Sequence, residues 1–141
     1  MGFNFEQYAG EGNIFINEVA ELTGFSRDKA ARITQVVLHA LRDRLQPADA
    51  VSLGQALPVI IRGIYYDQLN LSQLPQTVRG KEAFINFIHN KLSEKREFDR
   101  SDILKGLQAV TTVLKGRLSP EYYESIMREI NEEIRELIDQ Q

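Results

Sequence analysis

The strongest constraint on the fold is a segment that occurs twice in the chain. DKAARITQVVLHALRDRLQP, residues 28–47, returns 73 positions later as SDILKGLQAVTTVLKGRLSP, residues 101–120. Both copies close on the pattern Leu-x-x-Arg-Leu-x-Pro, in which Leu41 corresponds to Leu114 and Arg44 to Arg117. A repeat of this length predicts that the chain is built from two copies of one structural unit.

Each copy has the pattern of an amphipathic helix. Apolar residues recur every three or four positions and so share one helix face: Ala30, Ile33, Val37, Leu41 and Leu45 in the first copy, and Ile103, Leu107, Val110, Leu114 and Leu118 in the second. Ser26 is the predicted N-cap of the first helix, and Asp99 or Ser101 that of the second. We interpret Arg44 and Arg117 as cations of the last helical turn, which stabilise free carbonyls there.

The flanking segments extend each copy to three predicted helices. FINEVAELTG predicts a helix that begins at Asn13 and ends at Gly24, and AFINFIHNKLSEK is its counterpart before the second copy. Each proline that closes the repeat is tolerated in the first turn of a further helix. Pro58 predicts a break in the first of these helices. The second has Asn131 at that place and is predicted to continue unbroken from Pro120 to about Ile138.

The predicted fold class is therefore all-α, a helical bundle of six to seven helices built from two three-helix repeats. Residues 1–12 are expected to form an N-terminal lead-in, 13–66 the first repeat, 67–80 a linker and 81–141 the second repeat. Three short helices bury too little surface to be stable alone. The repeats are therefore expected to share the core of one globular domain.

Composition narrows the class of protein. The 141 residues are 43% hydrophobic and 26% charged, which is ordinary for a soluble globular domain. Without cysteine, a disulfide framework, thiol catalysis and cysteine-ligated zinc are excluded. No run of 18 apolar residues is present, and the N-terminus lacks the pattern of a signal peptide. We expect a cytoplasmic protein with no membrane association.

The segment RLQPADAVSLGQALPVIIRGIYYD, residues 44–67, resembles the bacterial domain-of-unknown-function 2267 family, and the likeness extends roughly from Phe15 to Leu137. Members of that family carry Gly-Trp after the closing aspartate, whereas this chain has Gln68 and Leu69. The resemblance implies an all-helical, duplicated fold in a bacterial cytoplasm. It implies no activity.

Few residues have the types and spacing that catalysis requires. His39 and His89 are the only histidines, and neither has a partner at metal-ligand spacing. The run of acids at Glu129, Glu132, Glu133 and Glu136 lacks the accompanying histidine of a carboxylate metal site. We therefore predict no catalytic, cofactor or metal site and no enzyme. Tyr66 beside Arg62 and Arg79 is the one cluster predicted to form an interaction surface.

Charge is unevenly distributed around a net value of −3. Residues 27–44 hold five cations and two aspartates, a local +3, whereas residues 121–141 hold seven acids and two arginines, a local −5. The pattern is typical of a solvated helix face with i,i+4 pairs such as Arg128 and Glu132. The alternative is that the acidic last helix meets a basic surface, within the chain or on a second subunit. FINEVAELTGFSRDKAARITQVVLHAL also resembles the opening helix pair of the histone-like bacterial DNA-bending proteins, although those grip DNA with basic β-arms and this chain has no candidate arm.

Three hypotheses for function follow. The first is a non-catalytic helical module for protein interaction or self-association, which an exposed apolar patch favours. The second is a small-molecule sensor with a site between the repeats, which a closed pocket with convergent polar groups favours. The third is nucleic-acid binding through the basic helix Arg27 to Arg44, which requires a continuous basic face. The acidic net charge makes the third the least favoured.

Overall fold

The computed structural model describes residues 2–140, which form eight α-helices and no β-strand. The all-α prediction is confirmed. Two single 3-10 turns, Leu71–Gln73 and Lys95–Glu97, lie between the helices. The helices are α1 Phe5–Thr23, α2 Arg27–Arg42, α3 Pro47–Gln55, α4 Val59–Tyr66, α5 Lys81–Lys91, α6 Arg100–Arg117, α7 Pro120–Met127 and α8 Glu132–Asp139.

The helix ends follow the local sequence. The Ser26 hydroxyl accepts a hydrogen bond from the Lys29 amide at the start of α2, at 3.2 Å. At the start of α6, Asp99 and Asp102 each accept from the other's amide, which forms a reciprocal capping box. Gly24 ends α1 in the left-handed conformation, at φ 78°. The predicted caps Ser26 and Asp99 and the predicted stop at Gly24 are confirmed.

Two predicted boundaries are wrong. Helix α1 begins at Phe5 and not at Asn13, because the Asn4 side chain caps it by accepting from the Gln7 amide. The single helix predicted from Pro120 to Ile138 is instead divided into α7 and α8. Asn131 divides it, since its side chain accepts from the Glu133 amide and starts a new helix. This division, together with the expected break at Pro58, gives eight α-helices in the described chain where six to seven were predicted.

Helices α2 and α6 form the centre of the structure. They pack against each other, and both contact α1 and α5; α4 covers α1 and α2, and α8 covers α5 and α6. The apolar stripes face inward, and Leu41 and Leu114 are both buried, as predicted. One continuous cluster of buried side chains contains residues from all eight helices. No helix in the described part of the chain is long and apolar enough to span a bilayer.

The crossing of α2 and α6 depends on a glycine. A Cβ atom added at Gly106 would lie 2.3 Å from Cγ1 of Ile33, closer than real Cβ contacts. Ile33 is completely buried at this point. The absence of a side chain at Gly106 therefore lets the two central helices approach each other closely.

The segment between Tyr66 and Lys81 crosses the surface next to the end of α2. It contains one 3-10 turn, and the Gln76 amide donates to the Asp43 carbonyl at 2.7 Å. Gln68 opens it in the left-handed conformation, at φ 64°. A residue with a side chain is strained at positive φ, whereas glycine adopts this conformation freely.

Replacing Gly106 with alanine is expected to lower the free energy of unfolding by about 1–2 kcal/mol, because overpacking exceeds the gain in helix propensity. Gly116, in the last turn of the same helix, is the matched control, since a Cβ there meets nothing within 4 Å. Gly116→Ala is expected to raise the free energy of unfolding by about 0.4–1 kcal/mol. Urea melts of both variants measure the difference. Equal effects would show that the two helices do not meet at Gly106.

Replacing Gln68 with glycine is expected to stabilise the protein by about 0.5–1 kcal/mol, because relief of left-handed strain outweighs the added freedom of the unfolded chain. Gly24→Ala is the reciprocal variant. Its Cβ meets nothing within 4 Å at φ 78°, so strain alone should destabilise it by about 1 kcal/mol. Denaturant midpoints that move in the same direction for both would contradict this account.

Candidate functional site

The predicted interaction residues Arg62 and Tyr66 lie together at the end of α3. The Arg62 guanidinium donates to the carbonyls of Gly54, Gln55 and Leu57, each at 3.2 Å. The Tyr66 hydroxyl donates to the carbonyl of Val51 in the same helix. Arg62 thus satisfies carbonyls at the end of α3 that lack helical partners, whereas Tyr66 adds a hydrogen bond to a carbonyl inside the helix. Arg79 is exposed, and no hydrogen bond or ion pair among residues 2–140 joins it to the other two.

Each of the two tyrosine pairs, Tyr65–Tyr66 and Tyr122–Tyr123, has one buried and one half-buried ring. Tyr65 is buried, and its hydroxyl donates to the Ala50 carbonyl at 2.6 Å. Burial raises the pKa of the Tyr65 phenol. Tyr122 is half-buried and its hydroxyl meets Ser52 Oγ at 2.9 Å. Tyr123 beside it is buried, and its phenol pKa is also raised by burial. These rings join α3 and α4, and α3 and α7, and have no catalytic partner.

Each of the two histidines lies at hydrogen-bond distance from a backbone carbonyl and so supports the fold. His39 Nε2 lies 2.7 Å from the Ile64 carbonyl, so the ring must carry its proton on Nε2 to donate. This bond links α2 to α4, and burial lowers the pKa of His39 below its usual 6.5. His89 Nε2 lies 3.2 Å from the Lys95 carbonyl and fixes the turn after α5. No group of three His, Asp or Glu side chains in residues 2–140 is placed to hold a metal ion.

The basic second helix does not present a continuous basic face. Its cations are engaged within the molecule. Lys29 pairs with Asp102 at 3.1 Å, and Arg32 pairs with Asp28 at 3.1 Å and with Glu97 at 2.6 Å. Arg27 donates to the side chains of Asn13 and Asn17. The feature that favoured nucleic-acid binding is therefore not formed by this helix.

The acidic end of the chain does not meet that helix either. Within α7 and α8, Glu136 pairs with Lys81 at 2.7 Å and Glu124 pairs with Arg135 at 3.0 Å. Glu129 accepts from the Gln46 amide at 2.8 Å. Within one chain, the expected charge complementarity between the last helix and residues 27–44 is therefore not formed, because both charged segments find nearer partners. Complementarity across a second subunit stays a prediction.

Two buried arginines near the end of α2, Arg42 and Arg44, differ in their hydrogen bonding. Arg42 is 3% exposed and donates to the carbonyls of Tyr65 and Asp67, at 2.6 and 2.9 Å. Arg44 is 5% exposed, and none of its three guanidinium nitrogens has a hydrogen-bond partner. The interpretation of Arg44 as a last-turn cation is wrong, because α2 ends at Arg42 and the Arg44 guanidinium donates to no carbonyl of the described residues. Arg117 does lie in the last turn of α6, but it pairs with Glu18 at 3.3 Å.

An open apolar groove runs between α1, α2 and α4. Its volume is about 310 Å³, and small or apolar residues dominate its lining: Ala9, Gly12 and Ile16 from α1, Ala31 and Leu38 from α2, and Ile60, Ile61 and Ile64 from α4. A Cβ on Gly12 would lie 3.2 Å from Cβ of Ile60, so glycine brings α1 and α4 close together at the groove floor. Ile60 forms the rim and is 46% exposed.

Most of the exposed apolar side chains lie on, or immediately before, two of the helices that form this groove. Of the seven large apolar residues that are exposed in the described chain, six lie on α1, immediately before α1, or on α4: Phe3, Phe5, Ile14, Leu22, Val59 and Ile60. Helical periodicity alone did not single them out, since it assigns the inward face only. A signal was present, however, because the repeat has Glu132 and Glu133 where the first copy has Val59 and Ile60.

Over residues 2–140, these features define a small all-α protein with an apolar surface groove and a buried arginine, Arg44, that has no hydrogen-bond partner. The chain belongs to the family described as "Uncharacterized conserved protein (DUF2267)", whose model matches residues 12–137. The resemblance seen in the sequence is confirmed, and the family description assigns no specific role. No curated protein matches the chain.

Replacing His39 with glutamine is expected to flatten the dependence of stability on pH between 7.5 and 5. The folded pKa of His39 lies below about 6.5, so the unfolded chain binds the proton first. Stability from this residue is therefore present above the unfolded pKa and is lost as pH falls toward the folded one. Glutamine keeps a donor for Ile64 and does not titrate. Urea melts at each pH test this, and parallel profiles for the two proteins would contradict it.

Proposed function

We propose that this protein is a non-catalytic helical interaction module that self-associates through the groove between α1, α2 and α4. The observation that carries the proposal is the apolar surface of α1 and α4, where Phe5 is 75% exposed and Ile60 46% exposed. Large exposed apolar patches on soluble domains are typical of protein-binding surfaces. The proposal includes a bacterial, cytoplasmic setting, which the likeness to the family implies.

We also propose that the fold is an internal duplication, with 13–66 and 81–141 as two copies joined by the linker 67–80. The packing supports it. Exchanging α1 with α5, α2 with α6 and α4 with α8 turns each contact among these six helices into another that exists. Pro58 and Asn131, which stand at equivalent positions, are both N-caps. Because α1 contacts α6 and α5 contacts α2, both copies contribute to one core.

The comparison of the copies indicates that the apolar surface is not a requirement of the fold. Val59 and Ile60 correspond to Glu132 and Glu133, which are exposed on α8. Leu22 corresponds to Lys91, exposed at the end of α5. Charged residues are therefore compatible with these places in the packing. Only the first copy has apolar residues at these places. A partner that removes their side chains from water accounts for this difference.

A second copy of the chain is the partner we propose. Phe5 precedes Ala9 by one helical turn and so lies on the same face of α1 as the groove lining. A protruding aromatic residue next to an apolar groove gives a self-complementary surface. In a two-fold dimer, the Phe5 of each protomer would fill the groove of the other, because residue contacts in such an interface are reciprocal.

The test is the mass of the protein as a function of concentration, by light scattering from about 1 to 200 µM. The wild-type mass is expected to rise from the monomer's 16.1 kDa toward twice that value. Ile60→Glu, which copies the residue found at position 133, is expected to weaken dimerisation at least about 100-fold, because a charge would be buried without a partner. Phe5→Asp should act in the same direction without disturbing the helix, since an acid at a helix start is favourable.

Leu71→Glu is the matched control, because Leu71 is exposed and apolar but lies in the linker, away from the groove. It should leave the dimer intact. A wild-type mass of 16.1 kDa across the whole range would overturn the proposal. So would a dimer that survives both groove variants, or one that is equally sensitive to the Leu71 change.

A further inference from the structure

A second cavity, separate from the groove, lies where the linker crosses between the two halves of the chain. Its volume is about 240 Å³. Arg44 lines it from the end of α2, Val78 from the linker, and Glu129, Asn131 and Ile134 from the turn before α8 and from α8 itself. The cavity is therefore bounded by segments distant in sequence, and it exists only in the folded chain.

Arg44 forms no ion pair with any residue from 2 to 140, and Asp43, the neighbouring acid whose charge acts on it, is paired with Arg42. The three guanidinium nitrogens of Arg44 are buried, and no acceptor among the described residues reaches them. Two aromatic rings of α5 lie beside it, with the guanidinium carbon 5.8 Å from the centre of Phe84 and 5.1 Å from that of Phe87. Cation–π contact offsets only part of the cost of removing a cation from water. Burial accordingly lowers the pKa of Arg44.

Glu129, the acid that lines this cavity, is hydrogen-bonded to a group other than Arg44. Glu129 accepts the Gln46 amide at 2.8 Å and forms no ion pair with Arg44. The same position in the other copy shows what an ordinary arginine does there. Arg117 pairs with Glu18 at 3.3 Å and is partly open to solvent. The unpaired, buried state is thus specific to Arg44 and is not imposed by the repeat.

We propose that the cavity binds a small monocarboxylic acid, with the carboxylate on the Arg44 guanidinium and the carbon chain against Val78 and Ile134. Guanidinium and carboxylate pair through two parallel hydrogen bonds, the strongest such arrangement available to arginine. The apolar wall accepts an alkyl chain, and the volume lies below the range of about 300–1,000 Å³ that holds drug-sized ligands. Glu129 lines the same cavity and opposes any anion, so it disfavours a dianion such as phosphate more than a monocarboxylate.

The test is a titration of the 141-residue chain with sodium butyrate, in which isothermal titration calorimetry measures binding. Butyramide, which has the same shape without the charge, and sodium phosphate are the comparison ligands at constant ionic strength. Butyrate is expected to bind saturably and butyramide and phosphate at least about tenfold more weakly, since one charged bidentate pair is lost or opposed. Amide shifts of Thr77 and Val78 in NMR spectra should move with butyrate, which locates the site without any mutation.

Arg44→Met keeps the length of the side chain and removes the charge, and it is expected to abolish the butyrate response. Arg117→Met, at the corresponding position of the other copy, should leave the response unchanged. If Arg44→Met does not fold, the wild-type NMR shifts still decide. The proposal is overturned by no saturable binding of butyrate up to about 10 mM, by equal binding of butyramide, by binding of phosphate alone, or by a response that persists in Arg44→Met. The mass measurements on groove variants are independent of each of these outcomes.

Discussion

The close approach of α2 and α6 is the constraint on which the rest of this structure depends. Every other long helix packs on one or both of these two, so their separation sets the width of the grooves that α1 and α5 fill. Gly106 fixes that separation by leaving room for Ile33. A side chain at this crossing would move both central helices, and interiors packed at crystal density transmit such a shift to their neighbours. The apolar stripes supply the free energy of folding, but this contact determines the geometry in which they meet.

The three arginines at positions 42, 44 and 62 differ in their hydrogen bonding, and they fill two distinct physical roles. Arg42 and Arg62 each donate to the carbonyls at a helix end, α4 in one case and α3 in the other. A planar guanidinium suits this task because several carbonyls at a helix end point in similar directions. Arg44 has the same chemistry and none of these acceptors. The fold therefore contains two arginines whose hydrogen bonds are internal and one whose hydrogen bonds remain available.

The sequence was sufficient for the features that depend on local chemistry. Periodicity placed Leu41 and Leu114 inward, and the side chains of Ser26 and Asp99 marked helix starts because a short oxygen group caps amides wherever it occurs. It was insufficient where two local signals compete, as at Asn131, which suits both a helix interior and a cap. Contacts between segments distant in the chain could not be predicted from the sequence. Nothing near Arg44 in the sequence distinguishes it from Arg117, since the difference is made by Phe84, Phe87 and the linker.

The packing of α1 against α6 has a consequence for how the chain folds as it is made. Helix α1 ends at Thr23, yet part of its buried face is covered only by a helix that ends at Arg117. Ribosomes add about 5–20 residues per second, so the apolar side of α1 waits on the order of 5–20 s for that partner. Throughout this interval the nascent chain is incompletely folded and exposes apolar surface that is prone to aggregation. Molecular chaperones bind such surfaces, and slow codons between α2 and α6 would prolong the exposure.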